Sequence, residues 1–482
     1  MPGVNVTTSV KNGPSTPLRS ASGQAFFSGL AERGPSDAAI LIRGLADYES
    51  VFGKRPAYGY LYDTVKTFFD EGGEQAYVTR VVGPDATKGT IVLVDRATPT
   101  PANTLTFDAA SAGAWSGDLK IAVEDGSIAD SVKVTVLLRG EPVEVQNNLR
   151  TPAQIAQRFS TSVFVDVTNM GSTSVGVLAL PAVGVYTVTA GDDKRSVVQS
   201  ENYIASLENF TEGLGDGAVA IPGVGPSVHD GLVAHAKKNR RIALLSHNDG
   251  ATKTELAQTV TAVDDDSAGL FAPWIQVNDG AGGIRNSPPE GFVAACRARA
   301  HDTVGAWRAP AGGIAIARNV LGVATEYTKQ ETESLDAARV SVIRRVSQSL
   351  RLYGWRSLSS DEQNYGFLSA RDVLNRLVVE SEKRLEDYVF APIDSKNQLL
   401  SAINAELVGI VEPMRQAGGL YEQIDANGQQ IDPGYMIETG NTVNSAQSLA
   451  NNEVRARLSV RLSPTGALVS LDIVKVSLLS GL

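Results

Sequence analysis

Four histidines, one cysteine, a run of three aspartates and three glycine-rich loops are the residues of this 482-residue chain whose types could do chemistry. His229, His235, His247 and His301 include no pair at the i, i+4 spacing that lets two imidazoles share a metal ion, and His229 and His235, six apart, splay to different helical faces. Cys296 lies in the run GFVAACRARA and reads as a small buried hydrophobe rather than a nucleophile. Asp264, Asp265 and Asp266 lack the glycine and distal glutamate of a calcium loop and read as a helix end or turn. The loops at 83–88, 250–254 and 280–283 lack the two-glycine spacing with Lys and Ser/Thr that cradles phosphate, and the last runs into prolines rather than a helix N-terminus. A Gly-x-Ser-x-Gly nucleophile elbow is missing. Arg299 and Asp302 could pass for a catalytic pair, but at i, i+3 on one helix they more simply form a local ion pair or anchor an adjacent loop. The expectation is no enzyme, no cofactor and no metal. An α/β metabolic enzyme stays as a remote alternative.

The elements that would position these residues are bounded by composition. This length predicts two to four domains, and 46 Gly with 21 Pro predict many turns. A net charge of −10 argues against gripping nucleic acid, which needs a basic footprint. One cysteine excludes an intrachain disulfide framework and fits a reducing compartment such as a bacterial cytoplasm. Residues 1–10 show no basic-then-apolar leader and no apolar run reaches 18 residues, so neither a signal peptide nor a membrane span is expected.

Pattern divides the chain. In residues 1–10, Val4, Val6, Thr8 and Val10 share one face of an extended segment with nothing local to pair with: a disordered tail, or a strand donated elsewhere. Residues 20–87 and 191–330 alternate strand and helix, predicting one α/β domain with a largely parallel sheet. There 63–71 is a helix with Val65, Phe68 and Phe69 on one face, closed by Gly72-Gly73. Residues 88–190 hold short strands and one amphipathic stretch, TPAQIAQRFS, predicting an inserted β-sandwich or barrel. Residues 331–482 read as a C-terminal α+β module, with a helix at 335–353 on the spacing of Val342, Val346, Leu350 and Tyr353, and long helices at 367–389 and 396–417. In its last strands Val454, Leu458, Val460 and Leu462 oppose Arg455, Arg457 and Arg461. At 468–482 the apolar phase slips between Ile473 and Val474, which requires either a bulge or pairing of the second half elsewhere.

The segment from Pro288-Pro289-Glu290-Gly291 through Arg299, Asp302, Gly305 and Trp307 to Pro310-Ala311-Gly312 resembles the signature of contractile-tail sheath proteins. So do, in order, Arg33-Gly34-Pro35, Phe52-Gly53, the Phe68-Phe69, Gly72-Gly73, Arg80 series, the Gly113 to Asp118 turn around Trp115, and Trp355-Arg356-Ser357-Leu358. Departures are Ser116 where the family has Gly, Ser357 where it has Thr, and a longer polar loop at about 421–450.

That resemblance implies a structural subunit that polymerises around an inner tail tube, then shortens to drive the tube through a cell envelope for genome or effector delivery. Partners would be further copies of itself, the tube protein, and baseplate and tail terminator proteins, without direct nucleic-acid contact or membrane insertion. The place would be a virion tail assembled in a host bacterial cytoplasm, or alternatively a bacterial injection system or tailocin. By this resemblance Val4, Val6, Thr8, Val10 and Val474, Val476, Leu478 are strand arms given to neighbours. Arg376, Lys383 and Arg384 are candidates to face the tube. Pro289, Gly291, Arg299, Asp302, Gly305, Trp307 and Pro310 are signature positions expected to hold packing.

Overall fold

The computed structural model describes residues 23–467. The strand arms at 4–10 and 474–478, with the phase slip, lie outside them. Ala25–Gly29 and Ala76–Arg80 are short strands that pair in parallel within an eight-stranded sheet, next to one of its edges. From one edge its order is Ser349–Leu352, Val340–Val346, Ala268–Ala272, Arg241–Leu245, Gly217–Ala220, Ala25–Gly29, Ala76–Arg80 and Ile40–Ile42. The outermost strand at each edge is antiparallel and the inner ones are parallel. Burial on both faces explains runs such as AGLFA and the IALL of Arg241–Leu245, which are apolar rather than alternating.

Helix Leu61–Asp70 covers one face with Leu61, Val65 and Phe68. It ends because Gly72, at φ 96°, turns the chain left-handed. Gly73 N–H then donates to Phe68 O at 2.8 Å and Gly72 N–H to Phe69 O at 3.0 Å, satisfying carbonyls the last turn would leave open. Beside it runs helix Glu290–Thr303, buried from Glu290 to His301. A Cβ on Gly291 would stand 2.3 Å from Thr64 O, so only glycine lets these two helices approach.

Between 88 and 190 every pairing is antiparallel. One sheet has three strands, Thr90–Val94, Asn103–Ala109 and Val165–Asn169. Another has four, Gly184–Thr187, Leu119–Asp125, Val132–Leu138 and Glu141–Leu149. Both face a common core of Leu93, Leu105, Phe107, Ile121, Val134 and their neighbours. The protein is therefore mixed α/β, with a parallel-rich main sheet and several small antiparallel sheets.

The helix expected over 335–353 is not formed. Helix Lys329–Ala337 stops there, and Val340–Val346 and Ser349–Leu352 make an antiparallel hairpin on the edge of the main sheet. The stretch VSVIRRV is β-branched, and Ser347 at φ 55° supplies a tight turn that puts Val342, Val346 and Leu350 in apparent helical spacing. The main sheet thus extends past residue 331. Trp355-Arg356-Ser357-Leu358 is extended but makes a single bridge, Arg356 to Phe367, rather than a strand. Beyond it, helices Leu368–Leu385 and Gln398–Gln416 pack on the two-stranded sheet Tyr435–Glu438 and Arg457–Val460. The second helix closes on Gly418 and Gly419, whose N–H groups return to Arg415 O and Met414 O, both at 2.9 Å.

Candidate functional site

Two buried arginine nodes and one open groove account for most of the singled-out residues. At the first node, the main sheet meets the 88–190 insertion. Arg80, 1% exposed at the end of its strand, donates from Nε to Ala31 O at 3.1 Å and from Nη1 to Ala112 O at 2.7 Å, and sits 3.3 Å from Asp193 Oδ2. Burial pushes its pKa down, and the Asp193 carboxylate opposes that shift. Gly34 N–H donates to Ser111 Oγ at 2.9 Å, and Arg33 lies over the rings of Trp115 and Phe164. Three segments far apart in sequence, the Arg-Gly-Pro turn, Arg80 and the Trp115 turn, thus form one mount.

The second node lies along helix Glu290–Thr303. Arg299 turns away from Asp302, which is exposed, toward the fully buried Glu71: Nη1 is 3.6 Å from Glu71 Oε2, and Nη2 donates to Ile316 O at 3.0 Å. Glu71 also accepts the backbone N–H groups of Arg318, Asn319 and Val320 at 2.6 to 3.0 Å. Arg297, not anticipated from the sequence, makes a two-toothed contact to Asp372 Oδ1, at 3.0 Å from Nε and 2.6 Å from Nη2, and His301 Nε2 is 3.6 Å from Asp372 Oδ2. The sequence signal for it was an arginine inside an otherwise small, apolar helix. Gly305, at φ 137°, lets the chain turn tightly beside the Trp307 ring, and Trp307 packs with Val411 and Met414 of the C-terminal helices.

Most of the groups that could do chemistry are sequestered, His247 being half-buried. Cys296 is buried and its thiol is pushed up to about 12 by desolvation. His229 and His235 are each held down at about 4, by burial above all. Asp265 and Asp266 are tied to Lys237 and Arg371. Among the described residues no cluster of three His, Cys, Asp or Glu could hold a metal ion, and no helix is long and apolar enough to cross a membrane.

Of the cations expected to face a tube, Arg376 is paired with Asp216 at 3.6 Å and Glu380 at 2.7 Å, and Arg384 with Glu406 at 3.5 Å. Lys383 is exposed. Beside them an apolar groove of about 440 Å³ runs between helix Leu368–Leu385 and strand Arg457–Val460, lined by Leu374, Val378, Leu385, Val389, Leu458 and Val460.

No protein-family model and no curated protein matches the chain. Solved structures do. A sheath tail protein of Listeria innocua superposes at a TM-score of 0.62 with 14% identity, covering 87% of this chain and 89% of the other. The contracted helical sheath of the anti-feeding prophage superposes at 0.58 with 12% identity, covering 98% and 99%. This chain has the sheath-protein fold. A sheath tail protein of Desulfitobacterium hafniense shares it at a TM-score of 0.57 and 13% identity, over 91% of this chain and 93% of that one.

Proposed function

We propose that the chain is the subunit of a contractile tail sheath, which polymerises around an inner tube and shortens to drive that tube through a cell envelope. The observation that carries this reading is the match to an assembled contracted sheath over 98% of this chain and 99% of that one. The burial of Cys296 and of three of the four histidines, His229, His235 and His301, agrees with a mechanical rather than a chemical role.

In this reading the apolar groove and the outer edge of strand Arg457–Val460 receive extended arms, Val4, Val6, Thr8 and Val10 or Val474, Val476 and Leu478, from neighbouring copies. Main-chain hydrogen bonds give such strand addition its strength, and alternate apolar side chains give it register. Lys383, with Arg384 and Arg376 behind it, is offered to the tube. Baseplate and terminator proteins bound the polymer, the insertion at 88–190 faces outward, and the particle is a phage tail.

Negative-stain microscopy of the purified full chain, alone and with the tube protein, tests this. Hollow cylinders of uniform width are expected. A monodisperse small oligomer under all conditions would overturn it. Nucleic acid in particles purified from cells separates a phage tail from an injection device.

A further inference from the structure

Helix Leu368–Leu385 is amphipathic in an inverted sense. Its apolar side, with Val373 and Leu377, packs inside the C-terminal module. To that module's two apolar clusters the preceding chain adds Ala306 and Trp307. The side turned to the α/β core is polar over most of its length, and each group on it meets a different element. Arg371 pairs with Asp266 (Nε to Oδ1 3.1 Å), Asp372 with Arg297, and Asn375 Nδ2 donates to Arg241 O at 3.4 Å. Arg376 lies 3.6 Å from Asp216, and Glu382 accepts from Arg240 at 2.6 Å.

Such a seam has a particular energetic character. Desolvation nearly cancels the attraction of a buried ion pair, yet the pair fixes its geometry closely. On opening, an apolar interface returns its area to water uncompensated, whereas separated charges regain hydration. Contacts of this kind set an angle firmly while resisting separation weakly. The hinge end is marked: Leu368 belongs to the main core cluster together with Trp355 and Phe271, so the helix is held at its N-terminus and zipped by charge beyond it.

We propose that the chain beyond the hinge at Leu368, residues 370–462, undocks from the α/β core along this seam as a cooperative step of its own, before either side unfolds. The seam is then a joint built into the subunit, and the inference does not depend on the sheath reading.

Two thiols read it. Asn375 is buried midway along the seam, on the same helical face as Asp372 and Arg376, and its bond to Arg241 O is long at 3.4 Å, so Asn375→Cys is a mild change. Cys296 is buried on the far side, beside Arg299, and reports opening of the core itself. In the full chain, without denaturant, the introduced thiol is expected to react with an aromatic disulfide at least about tenfold faster than Cys296, the signature of sub-global opening. Arg371→Gln and Glu382→Gln, which remove half-exposed partners and leave Asp372 intact, are expected to speed the introduced thiol several-fold further with Cys296 unchanged. Equal or slower labelling of the introduced thiol, or acceleration of both thiols by one factor, would overturn the proposal.

Discussion

Arg299 reaches across 3.6 Å to Glu71, the residue that caps helix Leu61–Asp70, and not to Asp302 one turn along its own helix. Glu71 in turn gathers three successive backbone N–H groups at 318–320, so one carboxylate ties helix Leu61–Asp70, helix Glu290–Thr303 and the loop after it into a unit. Glu71→Gln leaves Arg299 without its counter-charge in a site fully closed to water. A loss of about 3 to 5 kcal/mol is expected, the cost of breaking a buried pair on one side. Asp302→Ala should stay within about 0.5 kcal/mol, as for an exposed residue with no special contact. Urea unfolding of both variants checks the contrast; equal effects would contradict this assignment.

Arg80 should be irreplaceable by lysine. It serves Ala31 O, Ala112 O and Asp193 from different nitrogens of one planar group, which an ammonium on a flexible stem cannot do. Arg80→Lys is expected to cost about 2 to 4 kcal/mol, by analogy with other disrupted buried networks. The loss should appear first at the mount of the insertion. Limited proteolysis should cut near 83–88 or 191–195 in the variant under conditions that leave the original chain whole.

Much of this was legible before any coordinates, and the gaps have physical causes. The largely parallel main sheet and the Gly-Gly helix ends are local patterns, and they appear as read. The hairpin at 340–352 was misread because a tight turn between two β-branched strands mimics a helical period over a few residues. At the nodes, Arg33, Arg80, Trp115 and Arg299 are singled out by the sequence, but the partners Glu71 and Asp193 are not, and neither is the pair Arg297 and Asp372. A carboxylate's partner is a matter of tertiary distance, and nothing in the spacing of residues 71 and 299 announces it.

Glu290 makes stability fall as pH rises. It is completely buried at the start of its helix, its Oε1 is 2.6 Å from Ser246 Oγ, and desolvation pushes its carboxyl up to about 7. A folded-state pKa above the unfolded one means the neutral form is favoured in the fold. Its contribution is complete below about 4.5 and is lost progressively as pH rises through about 7. At about 1.4 kcal/mol per unit the total is of the order of 3 kcal/mol. Glu290→Gln keeps a partner for Ser246 and cannot ionise, so its melting temperature should change less between pH 5 and pH 8 and exceed that of the original chain at pH 8. Calorimetry at the two pH values reads this directly, and parallel pH profiles would rule it out.

The groove beside strand Arg457–Val460 separates folding from assembly. Val378 is 40% exposed on its wall, so a charge there meets water in the free subunit and should change stability by no more than about 0.5 kcal/mol. A docked arm would close that water out. Val378→Glu would then place an unpaired carboxylate against apolar side chains, at a cost of several kcal/mol for each subunit contact. The expected result is a variant with an unchanged denaturation midpoint that stays monomeric where the original chain polymerises, as measured by sedimentation and microscopy. Deleting residues 1–12 should have the same outcome, because the arm is then missing instead of the surface. If Val378→Glu assembles normally while the deletion does not, the arm docks elsewhere; if both assemble, neighbouring subunits are not joined by strand exchange at this edge.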